Sequence, residues 1–263
     1  MSLENGKKRI VVKIGTSTLT HKTGKTNIAR IAKIASVLSD LKNEGHQIIL
    51  VSSGAIAVGM SRMRIAEKPK TAKELQAAAA VGQCELMFLY DRLFSEYDVV
   101  VSQLLLTFDE LENPKSRAHL IDTFNQLLEY DCLPIINEND SVSVDELFNG
   151  DNDYLSATVA VFTEADLLIM FTDTDGLYDG NPAENPDAEL IEYVPQIDEK
   201  IKRIAGGASS KGTGGFITKI NAAELAVNSG IPVVITNGER PTDIYGILKG
   251  KNVGTYFEAV KND

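Results

Sequence analysis

The sequence predicts an α/β fold, a three-layer sandwich with a mostly parallel central sheet flanked by helices. Three observations carry that expectation. Short β-branched runs alternate along the chain with segments whose apolar residues recur every three or four positions. Such alternation implies crossover units, which place helices on both faces of a largely parallel sheet. The 263 residues, 43% of them hydrophobic, are enough for one large core or two small ones.

Taken in order, Arg9–Ile14 reads as a buried strand running into Gly15-Thr16-Ser17. Ile28, Ile31, Ile34, Ala35, Leu38 and Leu41 share one face of a helix with Gly45 just past its end. Gln47–Val51 is a second strand, and Ser52-Ser53-Gly54 leads from it into a helix at Ala55. A long helix, Ala72–Tyr97, precedes a strand at Val99–Leu106. Asn113 caps and Pro114 opens a helix carrying Leu120, Ile121, Phe124, Leu127 and Leu128. Then come a strand at Leu133–Ile136, a helix at Tyr154–Phe162 and a strand at Leu167–Thr172. Helical periods return at Asp198–Ile204 and Phe216–Asn228, and Val233–Thr236 is a further strand. Ser141–Asn149 reads as a hairpin suited to a lid or as a plain surface excursion.

Composition narrows the function classes. The chain carries 26 Lys and Arg against 37 Asp and Glu, a net charge of −11 that disfavours non-specific nucleic-acid binding. No apolar run approaches the ~18 residues of a membrane span. The N-terminus leads straight into a strand, so no signal peptide and a cytoplasmic location are expected. Cys84 and Cys132 lack metal-ligand spacing and are expected as buried cytosolic thiols.

Open α/β sheets bind ligands beyond the carboxyl ends of their strands. Five loops fall there: Gly15-Thr16-Ser17, Ser52-Ser53-Gly54, Asn137–Asp140, Thr172–Gly176 and Thr236–Gly238. All are small, polar or glycine-rich, which suits a shared cleft. Familiar signatures fail nonetheless. Gly24-Lys25-Thr26 resembles a P-loop tail, but Leu19 stands where the first glycine belongs. Gly212-Thr213-Gly214 begins a dinucleotide fingerprint that Ile217 breaks. Asp173-Thr174-Asp175 starts like a calcium loop, yet Leu177 takes a ligand position. His21, His46 and His119 are dispersed, so imidazole is not the central base.

Four segments keep a chemical reading. Lys13 lies in an otherwise buried strand, where it either meets a counter-charge or faces water from an edge. The Gly-Thr-Ser that follows can form an anion nest, which favours phosphate. Ser53 and Gly54 precede a helix start whose free N–H groups attract anions. Asn137-Glu138-Asn139-Asp140 and Gly150-Asp151-Asn152-Asp153 are turn-like, but together supply donors and acceptors for an α-amino and α-carboxylate group. Gly212–Lys219 opens a helix with glycines and a first-turn lysine, which reads as an anion site or as a plain loop.

In that order, these segments together with Thr172-Asp173 and Gly176-Leu177-Tyr178 resemble the amino acid kinase superfamily and, within it, the glutamate 5-kinase family. The resemblance spans essentially the whole chain and implies the amino acid kinase fold. It implies one kinase domain over residues 1–263, with glutamate bound by roughly 1–165 and ATP by roughly 166–263. Many bacterial members add a C-terminal PUA domain, so the likeness is to the short form. Phe216 replaces a common methionine and Ser52 a more usual threonine.

The implied activity is MgATP-dependent phosphorylation of the γ-carboxylate of L-glutamate, the first step of proline biosynthesis. Lys13, Lys219 and Asp153 are the implied catalytic residues, with Asp153 holding both lysines. Ser53, Gly54, Ala55, Asn137, Asp140 and Asn152 form the implied glutamate set. Lys13, Gly15, Thr172, Asp173, Thr213, Gly214, Gly215, Phe216, Ile217, Thr218 and Lys219 form the ATP set, with no protein ligand for magnesium. Proline as feedback inhibitor, a homo-oligomer and contact with glutamyl phosphate reductase are further implications. Acetylglutamate, carbamate and uridylate kinases use similar lysines and glycines, and a nucleotide-binding regulator without turnover is the alternative outside catalysis.

Overall fold

The computed structural model describes residues 6–67, 69–142, 152–182, 184–207 and 216–261. Most of the expected 141–149 excursion, Gly150-Asp151 and Thr213-Gly214-Gly215 lie outside the described residues. The elements follow in chain order: β1 (Arg9–Lys13), α1 (Thr16–Leu19), α2 (Ile28–Asn43), β2 (Gln47–Val51), α3 (Ala55–Met63) and α4 (Ala72–Ser95). Next are β3 (Val101–Leu106), α5 (Phe108–Glu112), α6 (Pro114–Glu129), β4 (Leu133–Glu138), α7 (Asn152–Phe162) and β5 (Leu167–Thr172). The chain closes with β6 (Tyr193–Val194), α8 (Glu199–Gly207), α9 (Phe216–Asn228), β7 (Val233–Asn237), α10 (Asp243–Leu248) and β8 (Thr255–Phe257). Two compact units emerge, one of Ile14–Asn152 and one of Met1–Lys13 with Asp153–Asp263.

Within the Ile14–Asn152 unit the strand order is β3-β4-β2, all parallel. Leu50 pairs with Ile135, and Leu106 with Glu138, so the pairing continues past the apolar stretch through Asn137 and Glu138. That extension carries two polar residues to the carboxyl end of β4. Asn27 caps α2 by accepting from the Arg30 N–H, and Asn113 caps α6 with Pro114 at the first helical position. Helix α4 stops at Ser95 rather than Tyr97, because Asp98 is left-handed (φ 59°) and the Val99 N–H returns to Phe94 O. Strand β3 therefore starts at Val101.

Helices α3 and α4 meet backbone to backbone. A Cβ on Gly82 would lie 1.7 Å from the Ala55 carbonyl oxygen, and one on Gly59 would lie 1.8 Å from that of Ala78. Neither position has room for a side chain.

In the other unit the order is β1-β5-β7-β8-β6. Strands β1, β5 and β7 are parallel, with Lys13 opposite Met170 and Thr172 opposite Asn237. Buried apolar residues fill β5, as expected for a sheet covered on both faces. Short β8 pairs antiparallel with β7, and two-residue β6 runs parallel to β8. The helix expected from Tyr154 begins at Asn152, which brings both Asn152 and Asp153 into its first turn.

One expectation is corrected. Cys84 is exposed and Cys132 only half-buried, because Cys84 lies with exposed Val81 and Phe88 on the outer side of α4. Both are free thiols. Among the described residues no helix is long and apolar enough to cross a membrane.

Replacing Gly82 by alanine forces α3 and α4 apart. The gain in helix propensity, about 1 kcal/mol, is smaller than the overlap penalty, so a net loss of about 2 kcal/mol is expected. A urea midpoint that stays put or rises would show that the crossing tolerates a methyl group.

Candidate active site

Lys13 ends β1 and is only 4% exposed, and an ammonium group is rarely stable there without a counter-charge. The counter-charge is Asp153, fully buried in the first turn of α7, where the helix dipole favours a carboxylate. Asp153 Oδ1 lies 2.5 Å from Lys13 Nζ. Its Oδ2 lies 2.8 Å from Lys219 Nζ on α9 and accepts the Thr218 hydroxyl at 3.1 Å. One carboxylate thus draws together two ammonium groups from positions more than 200 residues apart in sequence. The three side chains carry a net charge of +1, which suits them to an anion.

The ends of β2 and β4 build a second group of residues, within the Ile14–Asn152 unit. A cavity of about 350 Å³ is lined there by Thr16, Ser53, Gly54, Ala55, Ile56, Ala57, Met60, Asn137, Glu138, Asp140 and Asn152. Gly54 is left-handed (φ 87°), a conformation that favours glycine, and it turns the chain from β2 into α3. The first N–H groups of α3, at residues lining the cavity, lack helical acceptors by construction. Asn152 Nδ2 donates to Ser52 O at 2.5 Å, Asn137 Oδ1 at 2.7 Å and Ser53 Oγ at 3.0 Å. Ser53 Oγ accepts from this amide, so its own hydrogen is left to donate to a ligand. Ser52 shares a hydrogen bond with Tyr90 at 2.8 Å; burial pushes the Tyr90 phenol well up, so it stays neutral.

The structure therefore brings Lys13, Asp153, Thr218 and Lys219 into one cluster. All six residues of the expected glutamate set, Ser53, Gly54, Ala55, Asn137, Asp140 and Asn152, line one cavity. Phe216 and Ile217 are the first two residues of α9, whereas Thr213, Gly214 and Gly215 lie outside the described residues. Gly15 starts α1 in the Ile14–Asn152 unit. Thr172 closes β5, and its hydroxyl donates to Asp173 at 3.2 Å.

Asp175 and Asn237 fall in two of the expected strand-end loops but were given no role, and Arg240 and Gln83 were passed over. Asp175 Oδ1 accepts from Asn237 Nδ2 and from Arg240 Nη2, each at 2.8 Å, tying the turn after β5 to the end of β7. These bonds, from Asn237 first and Arg240 second, hold the Asp175 carboxyl below its ordinary value. Gln83 of α4 accepts from Asn137 Nδ2 at 2.8 Å. The polar turn after Thr172 was a readable signal for the first of these contacts; Gln83 has no such flag.

A family model that spans most of its length places the chain among the amino acid kinases. The model described as the amino acid kinase family matches residues 8–237. The carbamate kinase from Giardia lamblia bound to AMP-PNP shares the fold, with a TM-score of 0.67 at 16% identity over 97% of this chain and 99% of that one. Closer in sequence, the glutamate 5-kinase of Clostridium perfringens is 48% identical over 261 residues, 97% of each chain. That of Clostridium acetobutylicum is 50% identical over 250 residues, 95% of this chain and 94% of its own. The chain belongs to the glutamate 5-kinase family.

Because the folded Asp175 carboxyl titrates below its unfolded value, its ionised form stabilises the fold above that unfolded value of 3.8. The contribution disappears as pH falls through the lower folded value. Asp175→Asn is therefore expected to lower the urea midpoint at pH 7 and to lower it progressively less as pH falls below 3.8. An equal loss at pH 7 and below pH 3.8 would remove the ionised pair as the cause.

Proposed function

We infer that this chain transfers the γ-phosphoryl group of ATP to the γ-carboxylate of L-glutamate, forming glutamyl 5-phosphate, as the opening step of proline biosynthesis. The observation that carries the reading is the Lys13–Asp153–Lys219 cluster, two ammonium groups held on one buried carboxylate. Membership of the glutamate 5-kinase family supports the choice of acceptor.

The chemistry explains these residue types. A carboxylate with an ordinary value near ~4.3 is ionised at neutral pH and attacks without a general base. What opposes it is charge: each like-charge pair at ~4 Å is worth about 4 kcal/mol at an effective dielectric near 20. Lys13 and Lys219 stabilise the anionic phosphoryl group in transfer, and Asp153 holds both in the orientation that this requires. The Gly15 and Gly54 amides support the phosphoryl oxygens. Thr172, Asp173, Thr213, Gly214, Gly215, Phe216, Ile217 and Thr218 hold the rest of the nucleotide.

Glutamate occupies the cavity at the ends of β2 and β4. The Ser53 hydroxyl and the first amides of α3, at Ala55, donate to its carboxylate. Asp140, with Asn137 and Asn152, faces its ammonium end. Glutamate recognition thus falls in the N-terminal part of the chain and nucleotide binding in the C-terminal part.

Among the described residues no group of three His, Cys, Asp or Glu side chains converges on a metal position. Magnesium would accompany the nucleotide phosphates and would supply further neutralising charge there. Family resemblance supports three more assignments: proline as a feedback inhibitor competing with glutamate, assembly into a homo-oligomer, and delivery of the acyl phosphate to glutamyl phosphate reductase.

Incubation with glutamate, MgATP and hydroxylamine is expected to give glutamyl hydroxamate. ADP formation that does not depend on glutamate would overturn the reading. Lys219→Met is expected to lower kcat by roughly two to three decades, the range for losing a positioned transition-state charge. An unchanged kcat would take Lys219 out of the chemistry.

A further inference from the structure

Asn137 sits at the carboxyl end of β4, 1% exposed, and its amide is read from both sides. Its Oδ1 accepts from the Glu138 N–H at 2.9 Å and from Asn152 Nδ2 at 2.7 Å. With the oxygen so engaged, the NH₂ end must find an acceptor in the opposite direction. Gln83 Oε1 stands there, at 2.8 Å.

Gln83 does not line the cavity that contains Asn137 and Asn152. It lines a neighbouring one of about 420 Å³, together with Cys84, Met87 and Gln103. Its placement on α4 is rigid, because adjacent Gly82 is in backbone contact with α3. We infer that Gln83 is a positioning residue for the acceptor-substrate cavity: it fixes which end of the Asn137 amide faces Asn152, and through Asn152 it fixes Ser53.

The two ends of a carboxamide have nearly the same shape, so sterics alone do not decide its orientation. Rotated by half a turn, Asn137 would present NH₂ hydrogens to the Asn152 NH₂ group and to the Glu138 N–H, setting donor against donor. The Glu138 N–H, fixed by the backbone, disfavours that state, and the acceptor behind the amide disfavours it further. Without Gln83, the buried NH₂ either stays without an acceptor or turns toward the cavity. In the second case Asn152 loses an acceptor and shifts against Ser52 and Ser53; in the first, the amide that Asn152 leans on is held less firmly.

This inference rests on the reading that glutamate occupies the Asn152–Ser53 cavity. Gln83→Met keeps length and removes the acceptor. It is expected to raise the KM for glutamate about tenfold or more while the KM for ATP stays within about twofold and kcat within about threefold. Gln83→Glu retains an acceptor oxygen and is expected to restore most of the glutamate KM. Thermal unfolding of each variant, followed by circular dichroism, separates this effect from loss of fold, and Gln83→Ala reads the same split if Met does not fit. The inference is overturned by an unchanged glutamate KM, by parallel changes in both KM values, by failure of Gln83→Glu to rescue, or by unfolding of both Met and Ala variants. Absence of glutamate-dependent ADP formation in the unaltered chain would instead remove the functional reading itself.

Discussion

A carboxylate with no access to water, shared by two ammonium groups, is the interaction on which the Lys13–Asp153–Lys219 cluster depends. Removing charged groups from water is costly, and the cost is offset only when partners are close and well aligned. Asp153 meets that condition with contacts of 2.5 and 2.8 Å to Lys13 and Lys219 and a hydroxyl from Thr218. The excess positive charge that results has limited freedom to spread or wander. Lysine alone is a flexible point charge; tethered to a buried acid, it becomes a fixed one.

The cavity at the ends of β2 and β4 relies instead on neutral groups. Around Asn152, one NH₂ group with two hydrogens serves three oxygens, so at least one bond is shared. Such a lattice holds its shape only while each amide points the right way. The backbone contact of α3 with α4 contributes here as well, because Ala55 both accepts the close approach of Gly82 and lines the cavity. Packing without side chains at that crossing sets the position of the helix start that a ligand would meet.

Much of this organisation was legible in the sequence, for identifiable reasons. Strands such as Leu167–Thr172 are continuous apolar runs, and Asn113-Pro114 and Gly45 punctuate helices in the usual way. A lysine in a buried strand is conspicuous by its charge. What escaped had little apolar signal: β6 and β8 are two and three residues long, and α5 buries only Leu111, though the Thr107 and Glu110 pair of a capping box was there to be read. Cys84 was misjudged because cysteines are usually buried, whereas its position on α4 faces outward. The Gln83 contact was beyond reach, since spacing along a helix does not say which end of a distant amide will need an acceptor. Asp153 was placed by family resemblance, not by its own pattern.

Asn152 and Asp153 are neighbours in the first turn of α7, one bonded into the amide lattice and the other into the charge cluster. A single peptide link therefore joins a residue of the amide lattice to a residue of the charge cluster. Any substitution that re-angled the first turn of this helix would strain the bonds of both residues at once.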